Sequence, residues 1–234
     1  MPRAATTDSP TQRIKQQRGR KTYDALIETG FILLENHELE SISIAKLAKV
    51  AGYSVGAFYA RFRSKDEFFD AMIAHHLEFR TQARDRLLAT VPDDNLINAL
   101  IEELVTYYWK RRRFWRAALI RSIRDPKFWE PIGQHGRVFA DLLIERMNQR
   151  AKRPLTKAER TNVSFAFQLA LGTINNAILN RPGPIFIGQD LFVKNLARAF
   201  RLVSDYDHLI GIEDAEPKSA QQLRPTRARA LSVV

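Results

Sequence analysis

Cysteine is absent from the 234 residues, which removes both a disulfide scaffold and a thiolate metal site and suits a reducing cytoplasm. No P-loop or dinucleotide fingerprint occurs, and nothing alternates as β-α-β, so nucleotide chemistry on a parallel sheet has no anchor. An apolar leader core is also missing. Met1–Gln17 is polar and basic and reads as a disordered arm, with the cytoplasm as the expected location. Thr161–Asn180 carries no formal charge over twenty residues, the length of a bilayer core. Asn162, Ser164, Gln168, Asn175, Asn176 and Asn180 interrupt it, while Val163, Phe167, Ala170, Leu171, Ile174 and Ile178 keep a helical stripe. It reads as a helix buried in protein, with no membrane partner. The histidines form no ligand set: His75 and His76 are adjacent and leave a helix on different faces, and His37, His135 and His208 are isolated. No metal and no cofactor are expected.

What the chain does contain is a local pattern at residues 43–62. Ser43 and Ser54 stand where N-caps are wanted, and Gly52 offers the positive φ that ends a first helix. Small Ala48 and Ala51 allow two helices to approach, with Leu47, Val50 and Phe58 filling the wedge between them. The pattern predicts a helix-turn-helix. Upstream, Tyr23, Leu26, Ile27, Gly30, Phe31 and Leu34 recur at amphipathic-helix spacing, with Thr22 as a cap. Downstream, Ser64-Lys65-Asp66-Glu67 has the form of a capping box that opens a connecting helix over Asp66–Leu88.

The run Leu47-Ala48-Lys49-Val50-Ala51-Gly52-Tyr53-Ser54-Val55-Gly56-Ala57-Phe58-Tyr59, followed by Phe62-Arg63-Ser64-Lys65-Asp66-Glu67-Phe68, resembles the DNA-binding domain of TetR-family transcriptional regulators. The resemblance covers about residues 18 to 80. It implies an all-α fold: an N-terminal three-helix head at 18–80, and an effector-binding and dimerisation domain at 81–212. The stretch 213–234 reads as a disordered tail. It also implies a homodimer on double-stranded operator DNA, released by a small-molecule effector, with Val55, Gly56, Ala57, Tyr59 and Arg61 toward the groove.

Chemistry sorts those positions further. Arg61 is the long side chain able to reach a guanine edge bidentately, with Lys46 as a second candidate. Ser43, Ser54, the Tyr59 hydroxyl and Lys65 suit phosphate oxygens. Val55 and Ala60 depart from the polar or aromatic residues common there, so direct readout is thin and thymine methyl contacts or DNA shape take a share. The family dimerises through its last two long helices. The segment with Phe167, Leu171, Ile174 and Ile178, together with Asp190–Tyr206 carrying Leu196 and Phe200, resembles that pair.

The net charge of +11 invites a nucleic-acid reading, yet the surplus lies elsewhere. Residues 1–82 hold 12 Lys and Arg against 10 Asp and Glu, whereas residues 83–212 hold 21 against 13. Lys110, Arg111, Arg112, Arg113, Arg116, Arg121, Arg124 and Lys127 face a single acid, Asp125. Read as one helix from Lys110 to Arg124, the stripe is a solvated face over an aromatic core. Alternatively it is the mouth of an effector pocket, with Trp109, Phe114, Trp115 and Phe128 as walls and Arg113 or Arg116 holding an amphiphilic anion such as an acyl-CoA.

One competing motif remains. Gly52-Tyr53-Ser54-Val55-Gly56 matches the nucleophile elbow of serine hydrolases, with Asp205 and His208 downstream in the required order. That elbow needs a strand before its serine, and Ile44, Leu47, Ala48 and Ala51 are spaced as a helix. The expectation is therefore a DNA-binding regulator rather than an enzyme, a repressor by family default, with an activator lacking a ligand as the alternative.

Overall fold

The computed structural model describes residues 10–212. Among them the chain forms ten α-helices and no β-strand. They are α1 (Pro10–Leu33), α2 (Ile44–Val50), α3 (Val55–Tyr59), α4 (Lys65–Thr90), α5 (Asp93–Lys110), α6 (Arg112–Arg124), α7 (Glu130–Ala151), α8 (Lys157–Leu179), α9 (Asp190–Ser204) and α10 (Tyr206–Ile210). The all-α expectation holds. The tail at 213–234 and the first nine residues of the expected arm lie outside the described residues.

From Pro10 onward the expected arm is helical rather than disordered. Proline tolerates the first helical position because its missing N–H would be unpaired there, and Gln, Arg and Lys are good helix formers. α1 and α4 pack closely through Gly30, where a Cβ would stand 2.7 Å from Phe68 Cζ and 3.0 Å from Met72 Cε. A buried cluster of Phe58, Phe62, Phe68, Leu26 and Leu47 closes the head.

α4 runs through residue 80 without a break and hands its C-terminal half to the core. α8 is opened by a full capping box: Thr156 Oγ1 accepts from the Glu159 N–H, and Glu159 accepts from the Thr156 N–H at 2.6 Å. Glu159 also pairs with Arg153 at 2.7 Å, and these bonds draw its carboxyl pKa down to about 2.

Two expectations are corrected here. Lys110–Arg124 is not one helix, because Arg111 leaves helical torsion angles (φ −100°, ψ 27°) and lays its guanidinium 4.2 Å from the centre of the Phe31 ring. The turn lets Phe114 and Trp115 fold under α4. The six residues assigned to a subunit interface face inward within one chain. Ile174 and Phe200 are 0% exposed, Phe167 packs tilted against Phe139 (5.2 Å) and edge-to-face with Phe200 (5.1 Å), and Ile178 and Leu196 are buried beside half-buried Leu171. A helical stripe signals burial but does not say against which chain.

Candidate nucleic-acid interface and core cavity

The head is built by its caps. Ser43 Oγ accepts from the Lys46 N–H and Ser54 Oγ from the Ala57 N–H, each at 3.1 Å, which starts α2 and α3. Gly52 takes φ +79° between them, a conformation that glycine adopts without cost. Ser64 Oγ caps α4 by accepting from the Glu67 N–H, while Glu67 reaches past the cap to the Arg63 N–H at 2.6 Å. The second half of that capping box is thus displaced by one residue.

α3 buries Phe58 completely and presents Val55, Gly56 and Tyr59 outward, Tyr59 at 54% exposure, with Ala57 half-buried beside them. Among the described residues nothing crowds Gly56, where a Cβ would meet only Ser54 Oγ at 3.7 Å.

The cations lie differently from expectation. α3 ends at Tyr59, so Arg61 falls beyond it, and its Nε donates to the Gly19 carbonyl at 3.2 Å. Lys65 donates to the Glu40 carbonyl at 3.3 Å, and burial lowers its pKa. Lys46 Nζ donates to His37 Nε2 at 3.0 Å. Of the nine sequence-assigned DNA residues, α2 and α3 thus bring Lys46, Ser54, Val55, Gly56, Ala57 and Tyr59 together with Ser43. Arg61 and Lys65 are engaged with α1 and with the turn before α2.

The basic stripe does not form an anion pocket. Arg113 donates to the Glu35 carbonyl and pairs with Glu38 at 3.5 Å. Arg121 donates to the Asp66 carbonyl at 3.1 Å and pairs with Asp70 at 2.9 Å, with its guanidinium 4.6 Å from the centre of the Phe128 ring. Arg116 donates to the Leu179 carbonyl and Arg112 to the Trp109 carbonyl, both at 3.2 Å. Arg116 and Arg112 thereby satisfy carbonyls at the C-terminal ends of α8 and α5, where the backbone has no internal donors left, while Arg113 and Arg121 tie the core to the turn after α1 and to the first turn of α4. The six residues assigned to an effector pocket are therefore dispersed. Phe114 is buried between Phe31 and Phe69, Trp109 borders a cleft of about 730 Å³ beside α9, and only Trp115 reaches a second, more enclosed cavity in the core.

That cavity, about 450 Å³, lies among α4, α5, α6, α7 and α8. Trp115, Tyr108, Phe139, Phe167 and Leu171 give it apolar walls, and His76, Arg80 and His135 add polar groups. Trp115 Nε1 donates to Asn175 Oδ1 at 2.7 Å. His76 shares a hydrogen bond with the Tyr107 hydroxyl at 2.9 Å, and burial beside Arg80 holds its pKa well below the usual imidazole value. Burial likewise pushes Tyr107 up to about 12.

Sequence reasoning missed this site, although a signal was present. Met72, His76 and Arg80 follow at i, i+4, i+8 along the buried face of α4, and a cation in an apolar stripe marks a polar group with a partner inside. Among the described residues, no three His, Asp or Glu side chains gather as a metal site, and no helix is long and apolar enough to cross a membrane. Ser54 is preceded by helix α2 and not by a strand, so the elbow geometry of a hydrolase nucleophile is not formed.

Residues 26–72 match the sequence profile of bacterial regulatory proteins of the tetR family. Over 47 residues the chain is 40% identical to an uncharacterized HTH-type transcriptional regulator, YwcC, of Bacillus subtilis (strain 168), covering 20% of this chain and 21% of that protein. The chain thus spans about a fifth of the length of the curated relative it matches. In fold it is similar to the fatty acid degradation regulator FadR from Bacillus halodurans, with TM-score 0.57 at 15% identity, covering 83% of this chain and 96% of that one. It is also similar to Salmonella enterica GusR, with TM-score 0.53 at 17% identity over 79% and 95% of the two chains. The head thus matches the tetR family of bacterial regulatory proteins in sequence, and the fold along the length is similar to that of the two solved regulators.

Proposed function

We propose that this chain is a cytoplasmic transcriptional repressor that binds double-stranded operator DNA as a homodimer and lets go when a small-molecule effector occupies the core cavity. The observation that carries the reading is the capped α2–turn–α3 unit, with Val55, Gly56 and Tyr59 held outward. Val55, Gly56, Ala57 and Tyr59 face the bases, and Ser43, Ser54 and Lys46 take phosphates. Arg61 and Lys65 join after leaving the Gly19 and Glu40 carbonyls.

Dimerisation uses the outer faces of α8 and α9, opposite the buried stripe. Phe165 (52% exposed), Gly172 and Asn176 line one face, and Leu191, Arg198 and Leu202 (71% exposed) line the other, at helical spacing. Around Gly172 an added Cβ would meet nothing within 4 Å, which leaves room for a second copy. The effector is an amphiphilic anion, in keeping with apolar walls around a buried arginine. Because the B. halodurans neighbour is named for fatty acid degradation, long-chain acyl-CoA belongs among the compounds tested.

The test is fluorescence anisotropy of the full chain on the intergenic DNA flanking its own gene. The expected result is salt-dependent binding to a pseudo-palindrome with half-sites roughly 34–36 Å apart or somewhat more. Arg61→Ala should relax preference at one base position by about 1–3 kcal/mol, and Lys65→Ala should weaken all sequences alike. Equal affinity for flanking and random DNA at every salt concentration would sink the reading.

A further inference from the structure

The core cavity is polar at its floor and open at its rim. The rim is formed by Arg137, Asp141, Ser164 and Gln168, all exposed. On the inner wall Arg80 is 1% exposed, and its guanidinium pairs with Glu103 and stacks 4.8 Å from the centre of the Tyr107 ring. Among the described residues, two buried side-chain nitrogens have no hydrogen-bond partner: Arg80 Nε and His135 Nε2. Both residues line this cavity. Buried donors are normally satisfied, and those that are not call for a ligand or an ion. Arg84 and Arg80 are the leading charges acting on His135, against Asp85; Arg84 is itself paired with Asp85 at 2.7 Å.

We infer that the cavity binds a free organic monocarboxylate with an aromatic or alicyclic body, inserted head first, so that the carboxylate meets Arg80 and His135 and the body lies against Trp115, Tyr108, Phe139 and Phe167. A guanidinium edge and an imidazole N–H are charge-assisted donors suited to a carboxylate. The volume of about 450 Å³ lies toward the small end of ligand pockets. A thioester such as an acyl-CoA would reverse the required polarity, with its apolar tail against Arg80 and its anionic end outside. The inference rests on the repressor reading only for what the ligand does; that the site binds a carboxylate stands apart from it. It narrows the amphiphilic anion to one whose charge is buried.

Calorimetric titration of the full chain at pH 7 with 2-naphthoate, its neutral counterpart 2-naphthamide, and palmitoyl-CoA tests the inference. The expected result is one 2-naphthoate per chain with quenched tryptophan emission, 2-naphthamide at least about tenfold weaker because the charge-assisted bonds are lost, and no stoichiometric palmitoyl-CoA. The double variant Arg80→Gln/Glu103→Gln removes the cation without stranding its partner, and His135→Phe removes the second donor. Each should weaken 2-naphthoate at least about tenfold while circular dichroism keeps its helical signal. Gly136→Met, at a wall position where a Cβ meets only Leu171 at 3.9 Å, should block entry. Equal affinity for naphthoate and naphthamide, full naphthoate affinity in both folded variants, or palmitoyl-CoA binding in place of naphthoate would each overturn the inference. Anisotropy with operator DNA is run separately. Binding of naphthoate without DNA release supports the site and overturns its use by the repressor, whereas absence of DNA binding overturns the repressor and leaves the calorimetric result intact.

Discussion

The head and the core spend their positive charge in opposite ways. Residues 1–82 have a surplus of only two cations and keep their outward face on α3 nearly uncharged, whereas residues 83–212 have a surplus of eight. In the core several arginines are committed to the protein itself. Arg113 and Arg121 hold the head, Arg116 closes the end of α8, and Arg146 donates to the Leu88 and Val91 carbonyls and to Asp93, each at 2.6 Å. Net charge therefore does not locate a nucleic-acid surface in this molecule. Several of the core's cations are spent on carbonyls and acids of the chain itself, and the surface proposed for DNA is shaped mainly by caps and small residues.

Several substitutions would break or sharpen that contrast. The largest effect should come from Ile174→Asp, which places a carboxylate at a position fully buried within one chain. A loss of about 3–5 kcal/mol or outright failure to fold is expected from an uncompensated buried charge. Leu202→Asp, at an exposed site, should leave Tm nearly unchanged and yield monomers in sedimentation; a folded, dimeric Ile174→Asp would overturn the assignment of the inner face. Arg146→Ala comes next, at about 2–4 kcal/mol by chemical denaturation, since it strips charge-assisted bonds from two carbonyls and a carboxylate together.

Acidification should act on the core and spare the head. Burial depresses the pKa of His76 and brings that of His135 to about 4. Both are neutral when folded, so the unfolded chain takes up more protons below its own imidazole pKa of about 6.5. Stability from these residues is complete above that value and is lost as pH falls from about 6.5 toward 4. Thermal melts at pH 7.5 and pH 5 should show the fall, and His135→Phe should reduce it; an unchanged Tm across that range would contradict the burial of both rings. The smallest effect belongs to the head: Ser54→Ala should cost about 1 kcal/mol by removing the cap of α3, read as reduced thermal stability.

The head was legible in the sequence because its signals are local. Ser43, Ser54, Ser64 and Gly52 act within three or four residues of themselves, and each does in the fold what its position predicts. The core was legible only as burial. Val163, Phe167 and Ile174 were recognisable as a buried stripe, but periodicity carries no information about the partner. The basic stripe failed as a pocket for the same reason: Arg113 finds its acceptor 78 positions away and Arg116 finds one 63 away, distances over which composition says nothing. Arg80 escaped notice because a single cation on a long amphipathic helix looks like a surface residue until its neighbours are placed.

The length of α4 has a mechanical consequence. At 26 residues and a rise of 1.5 Å each, it is a rod of about 39 Å, and Arg80 sits roughly 22 Å along it from the end that carries the head. Gly30 seats α1 against the same rod with no slack, so the head travels with it. A rotation of roughly 5° pivoting near Arg80 would carry the head sideways by about 2 Å over that arm. On the proposed function, a small tilt of α4 at the cavity would thereby be enlarged into a displacement of ångström scale at the head.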